Sequence, residues 1–313
     1  MKALLRARAD TDLVHVHGVY LANSIWAYLI ARARGMIYVV QPHGALEPSE
    51  RRTGRGARRV LERLIGRRIL AGAAAVIATS GSEASQLRAR LPAANVVTEP
   101  VGVTRREPLI DPDLEWQLAS WLSVPSQQRV LFLGPLVGSQ HPDLLIDAWN
   151  RVRSAERNGQ LLSAGSAQDW DIGTLRARVA PQERHRVTFL DAVTPATAAW
   201  LMTAAGVVTL PGESANDAVP VAEALLYGCA VLTTEQTAAA EHVIAAGAGI
   251  VLARPDGDLL HQALTDLLAE PERVAAMADS GRYYAEDELT SAAASFRLAE
   301  TYRQLLPRPR RPS

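Results

Sequence analysis

Short apolar runs alternate with helix-forming stretches along the 313 residues, and this alternation restricts the fold more than any other feature. LVHVH, IYVVQ, AAAVIAT and VVT come first; VLFL, LLSA, VTFL, VVTL, AVLT and GIVL follow. Continuous apolar runs of this length, bounded by turn residues, are the pattern of strands buried on both faces. Strands that alternate with helices build parallel sheets with helices packed on them. At 48% hydrophobic content the chain has enough apolar side chains for two such domains, each with its own core.

The most informative stretch is residues 210–234, LPGESANDAVPVAEALLYGCAVLTT. It reads as a strand end, a polar loop, a helix opening near Ala218 and a second buried strand from Cys229. The loop therefore sits at the carboxyl edge of a parallel sheet, where open α/β sheets bind ligands. Pro220 lies in the first turn of the helix, where a missing N–H costs little, and the free donors of that turn suit a phosphate.

This stretch resembles the C-terminal signature of the family-four retaining glycosyltransferases of the two-domain GT-B fold. That signature is a Glu, seven residues including Phe-Gly, then a second Glu followed by Ala and a Gly. Glu223, Ala224 and Gly228 match its second half, whereas Ala215 stands at the first Glu and Asp217-Ala218 at the Phe-Gly. HVHG after Asp12, the Pro42-His43-Gly44 loop and the segment EPVGV from Glu99 are similar to the later half of the family's N-terminal domain. The resemblance covers nearly all of residues 12–306 and implies two Rossmann-like α/β domains, the N-terminal one incomplete. Residues 1–104 form the acceptor-side domain, 105–128 a linker with a short helix around 114–122, 129–306 the nucleotide-sugar-binding domain and 307–313 a tail. Residues 1–10 read as a short helix. The strand-helix units that family members carry before the Asp12 position are missing, so the Asp12 strand is expected to present an edge covered by a protein partner, a second copy or an upstream segment.

The resemblance also implies roles at the donor site. The turn after the first strand of the second domain, FLGPLVGSQHPDLL, places Gly134 at the donor, but Pro135 and Gln140 stand where the family has an Arg and a Lys. Charge-assisted hydrogen bonds are worth roughly 1.5–3 kcal/mol each, so two missing cations remove about 3–6 kcal/mol of leaving-group stabilisation, on the order of 10²–10⁴ in rate or affinity. His141 reads as a surface loop residue, and Glu213 is two residues out of register to replace Ala215. Asp217 reads as a helix cap. Glu223 either holds the ribose hydroxyls or is a helix residue facing solvent or capping a neighbour. His43 is either the catalytic-side residue near the transferred sugar or a loop histidine bonding backbone.

Formal net charge is zero, which excludes a general nucleic-acid binder. Residues 51–68 hold eight arginines, Arg51 first and Arg68 last, against the single Glu62. The helical pattern at 58–70, with Val60, Leu61, Leu64, Ile65 and Ile69 on one side, suits a core-packed helix with a basic face, or one lying on an anionic membrane. No run of eighteen apolar residues and no secretory leader is evident, so the expected address is cytoplasmic, with peripheral membrane contact through the Arg51–Arg68 stretch. The single cysteine, Cys229, belongs to the apolar run CAVL and reads as core. His15 and His17 share a strand face without a third ligand nearby, so no metal is expected. No cofactor is expected beyond a nucleotide-sugar donor acting as substrate. The reading is a retaining glycosyltransferase of glycan or exopolysaccharide assembly with a lipid-linked or saccharide acceptor. The alternative is a catalytically inactive relative that serves as partner of an active transferase.

Overall fold

The computed structural model describes residues 11–44, 66–152, 158–213, 218–238 and 240–306. The expected helix at 1–10, most of the arginine-rich stretch, Ala215, the Asp217 cap and the tail 307–313 lie outside them. The chain forms two compact units, Met1–Val101 with Ala292–Ser313, and Gly102–Ser291.

The first unit is built from β1 (Leu13–His17), α1 (Ala22–Ala33), β2 (Ile37–Gln41), α2 (Arg67–Ala71), β3 (Ala75–Ala78), α3 (Gly81–Arg90) and β4 (Val96–Thr98). All neighbours are parallel in the order β1-β2-β3-β4, and among the described residues β1 pairs with β2 alone. Alternate side chains go to opposite faces. Val14, Val16, Tyr38, Val40, Val76 and Ala78 pack under α1, α2 and α3, while Val39, Ala75 and Ile77 make a second, smaller core on the other face.

The second unit begins with α4 (Pro112–Gln117) and α5 (Ala119–Leu122), in the stretch expected as linker. Leu118 and Trp121 there are fully buried in its core. It continues through β5 (Arg129–Leu133), α6 (Pro142–Arg151), β6 (Gln160–Ala164), α7 (Ile172–Arg178), β7 (Val187–Leu190), α8 (Pro195–Ala204) and β8 (Val207–Leu210). Then come α9 (Ala218–Leu226), β9 (Ala230–Thr234), α10 (Ala240–Ala246), β10 (Gly249–Leu252), α11 (Gly257–Ala269) and α12 (Pro271–Tyr284). The six strands are parallel in the order β10-β9-β8-β5-β6-β7. This is the doubly wound order, with its reversal between β5 and β8. Leu131, Val208 and Val231 face one core, and Val130, Phe132, Val207 and Leu232 the other, which explains why these strands read as unbroken apolar runs.

The last helix, α13 (Ser291–Leu305), belongs from Ala292 onward to the first unit. Its Leu298, Tyr302 and Leu305 cover the Val39-Ala75-Ile77 face. Glu99, buried at the end of β4, accepts from Thr301 Oγ1 at 3.0 Å and Arg297 Nε at 3.3 Å and ties the helix down. The sequence boundaries at 104, 129 and 306 thus differ from the observed divisions at 101/102 and 291/292, because α13 adds its apolar stripe to the earlier sheet. No helix among the described residues is long and apolar enough to cross a membrane.

Candidate functional site

In the second unit a cavity of about 390 Å³ opens at the carboxyl ends of β5 and β6 and beside α8 and α9. Leu133, Gly134 and Pro135 line it from β5, and Ala164, Gly165 and Ser166 from β6. The two glycine turns meet closely: a Cβ on Gly165 would stand 1.8 Å from the Gly134 carbonyl oxygen. Only glycine fits there, because the place of its side chain is taken by the backbone of the neighbouring turn. Val193, Ala199 and Met202 supply an apolar wall.

Glu223 projects from α9 into this cavity, half-buried. Burial pushes its carboxyl above the ordinary value, and the positive charge of Arg106 pulls the other way. Glu223 is therefore a partly exposed helix residue that lines the cavity. Gly228, the last residue of the matching motif, has φ +77 and ends α9 by donating its N–H to Leu225 O, with Cys229 N–H donating to Ala224 O. It is a helix-ending residue and lies off the cavity lining. Cys229 is fully buried, and burial pushes its thiol up to about 12, so it stays protonated.

Pro135 and Gln140, which the resemblance set at the family's cation positions, separate. Pro135 lines the cavity. Gln140 is 4% exposed and points away beneath the loop after β8, where a Cβ on Gly212 would lie 2.7 Å from its Oε1. That loop is braced: Glu213 N–H donates to Ser139 O at 2.9 Å, and Thr234 Oγ1 donates to Gly212 O at 2.6 Å. His141, with φ +49, begins α6 and places Nε2 3.7 Å from Glu213 Oε1. The residue that sequence reasoning missed is Arg106, which lines the cavity from the segment read as linker. Its backbone N–H donates to Tyr227 Oη at 2.7 Å, and that hydroxyl donates to Arg106 O at 3.1 Å. No local pattern marks Arg106 in the sequence, because the contact that places it spans 121 residues.

A second constellation lies in the first unit. His43 follows β2 with φ +53, a conformation unusual for a side chain with Cβ. Its loop is held by Glu83, whose buried carboxylate accepts from Gly44 N–H at 2.8 Å and from Thr79 N–H and Oγ1 at 2.7 and 2.8 Å. His43 Nε2 lies 2.9 Å from His17 Nδ1, His17 stacks on His15 at 4.1 Å, and His15 Nδ1 lies 2.5 Å from Tyr302 Oη. Among the described residues the hydrogen bond of His43 is thus to another side chain. Burial, then His17, lowers the His43 pKa, with Glu83 opposing; burial, then His17 and His43, lowers that of His15 to about 4. Among the described residues no group of three His, Cys, Asp or Glu side chains is placed to hold a metal ion.

Known proteins agree with this architecture. Residues 1–102 match the family model described as Glycosyl transferase 4-like domain, and residues 127–270 the model described as Glycosyl transferases group 1. A curated D-inositol 3-phosphate glycosyltransferase from Segniliparus rotundus is 28% identical over 184 residues, 56% of this chain. The match spans only 41% of that relative's length. The solved sucrose-phosphate synthase of Thermosynechococcus elongatus superposes with a TM-score of 0.72 at 22% identity, covering 97% of this chain and 76% of that one. Anabaena HepE, solved in complex with UDP, gives 0.76 at 18% identity, covering 97% and 81%. The chain therefore has the GT-B glycosyltransferase fold, with a glycosyl transferase 4-like domain followed by a glycosyl transferases group 1 domain.

Proposed function

We propose that this protein is a retaining glycosyltransferase that takes a nucleotide-sugar donor in the cavity of its second unit and works in cytoplasmic glycan or exopolysaccharide assembly. The observation that carries the reading is Glu223, the retained motif carboxylate, standing in a cavity at the carboxyl edge of a doubly wound sheet. An ionised carboxylate accepts hydrogen bonds only, so it suits the paired hydroxyls of a ribose. The apolar wall of Val193, Ala199 and Met202 suits a planar base.

In the transfer, the bond from the anomeric carbon to the diphosphate breaks. The acceptor hydroxyl oxygen bonds to that carbon on the same face, and the acceptor proton leaves with the nucleoside diphosphate. His43 belongs to the acceptor side of this reading. With its pKa lowered it is neutral at pH 7, so one ring nitrogen accepts while the other donates. The acceptor is a saccharide or a lipid-linked saccharide.

The test is calorimetric titration of the folded protein with nucleotides and nucleotide sugars, beginning with UDP and UDP-glucose. Saturable binding, followed by transfer with unchanged anomeric configuration by NMR, is the expected result. Folded protein that binds no member of the panel overturns the reading.

A further inference from the structure

We propose that Arg106 is the phosphate-binding residue of the second unit's cavity, taking the diphosphate that Pro135 and Gln140 leave without a cation. This rests on the reading above and names the charge that the donor site uses.

Arg106 is the cationic residue among those that line the cavity; Ser166, Glu223 and Tyr227 are its other polar ones with side-chain oxygens. The chain at Arg106 is fixed on both sides. Tyr227 Oη bonds its N–H and its carbonyl, and three residues later Leu109 N–H donates to Ala196 O, next to the lining residue Pro195. A pinned backbone under an exposed guanidinium holds the charge at the mouth and leaves the head free to meet a ligand. Both Arg106 and Glu223 line the cavity, and the positive charge of Arg106 favours the ionised form of Glu223 against the effect of burial.

Their chemistry divides that ligand between them. A carboxylate repels phosphate and accepts from hydroxyls, whereas a guanidinium offers a planar fork of donors to phosphate oxygens and nothing to a hydroxyl proton. A molecule with a diol at one end and a phosphate at the other satisfies both, and a nucleoside diphosphate is such a molecule. Neighbouring Arg105 is not in the lining; its guanidinium lies 5.6 Å from the ring centre of Tyr227, the residue that holds the Arg106 backbone.

Titrating the full chain with UDP and with uridine separates the possibilities. Arg106→Gln is expected to weaken UDP about 10- to 100-fold while changing uridine less than about 3-fold. Arg106→Lys, which keeps the charge and loses the fork, should fall between. Arg184→Gln removes an equal charge from an exposed position outside the lining and should leave both ligands within about 3-fold. The inference is overturned if Arg106→Gln binds UDP as the unaltered protein does, which leaves the donor-site reading standing. It is also overturned if UDP and uridine weaken in parallel. An unaltered protein that binds neither overturns both readings together. Circular dichroism on each variant confirms that the fold persists, and Arg106→Lys carries the test if the glutamine form does not fold.

Discussion

Placing a lysine at position 140 looks, from the sequence, like the simplest repair of the donor site, and the structure makes the opposite forecast. Gln140 is 4% exposed in the turn before α6, its amide against Gly212 of the braced loop after β8. A lysine there buries its ammonium away from the cavity. Fully buried lysines lose about three to five pKa units, and about three units correspond to roughly 4 kcal/mol of lost stability at neutral pH. For a unit of this size that lowers the midpoint of thermal unfolding by about 8–16 °C. The sign of the pH dependence is a second readout. The unfolded lysine keeps its proton to about pH 10.4 while the buried one gives it up earlier, so the penalty shrinks as pH rises from about 7 to 10. Gln140→Met, of similar length and uncharged, should cost only about 1 kcal/mol for the lost polar contact. Thermal unfolding followed by circular dichroism across that pH range, with UDP titration alongside, makes the comparison. Gln140→Lys protein as stable as the unaltered chain, and binding UDP more tightly, would refute this account of where the side chain points.

Two further outcomes follow from the titratable groups. Because burial raises the Glu223 pKa above its ordinary 4.5, the stability of the ligand-free fold is fullest below that value and is lost as pH rises through the folded pKa. Glu223→Gln should therefore unfold at the same or a higher temperature at pH 7 while losing about 10- to 100-fold in UDP affinity; a lower unfolding temperature without ligand contradicts this. His15, lowered from 6.5 to about 4, contributes stability that is present above pH 6.5 and lost as pH falls towards 4. His15→Asn should flatten that acid limb of the first unit's unfolding, and an unchanged limb rejects His15 as its source.

The strands were legible because burial on both faces leaves an apolar signature that needs no tertiary information. Ile37–Gln41, Val96–Thr98, Val187–Leu190, Val207–Leu210 and Gly249–Leu252 fall where the apolar runs put them. Ala218 opens α9 as the loop chemistry indicated. The motif singled out Glu223, which the structure places in the cavity lining. What the sequence could not show is that Pro135 faces the cavity while Gln140 lies under a loop, since the two are only five residues apart in a turn. Arg106 was hidden for the converse reason. It lies in a polar stretch rich in proline and charge, and only the tyrosine hydroxyl of a distant helix turns that stretch into a wall of the site. The alignment of His43, His17, His15 and Tyr302 likewise depends on a loop and a helix that meet β1 from far along the chain.

The return of α13 to the first sheet also sets an order on the ribosome. The four strands of that sheet leave the exit tunnel early, but the Val39-Ala75-Ile77 face waits for Leu298, Tyr302 and Leu305. At about 5–20 residues per second, the intervening unit takes on the order of 10–40 s to synthesise. Throughout that interval the later unit can complete its own fold, while the earlier one lacks the apolar stripe of α13. The second core of the earlier sheet is thus completed only after the later unit has been made.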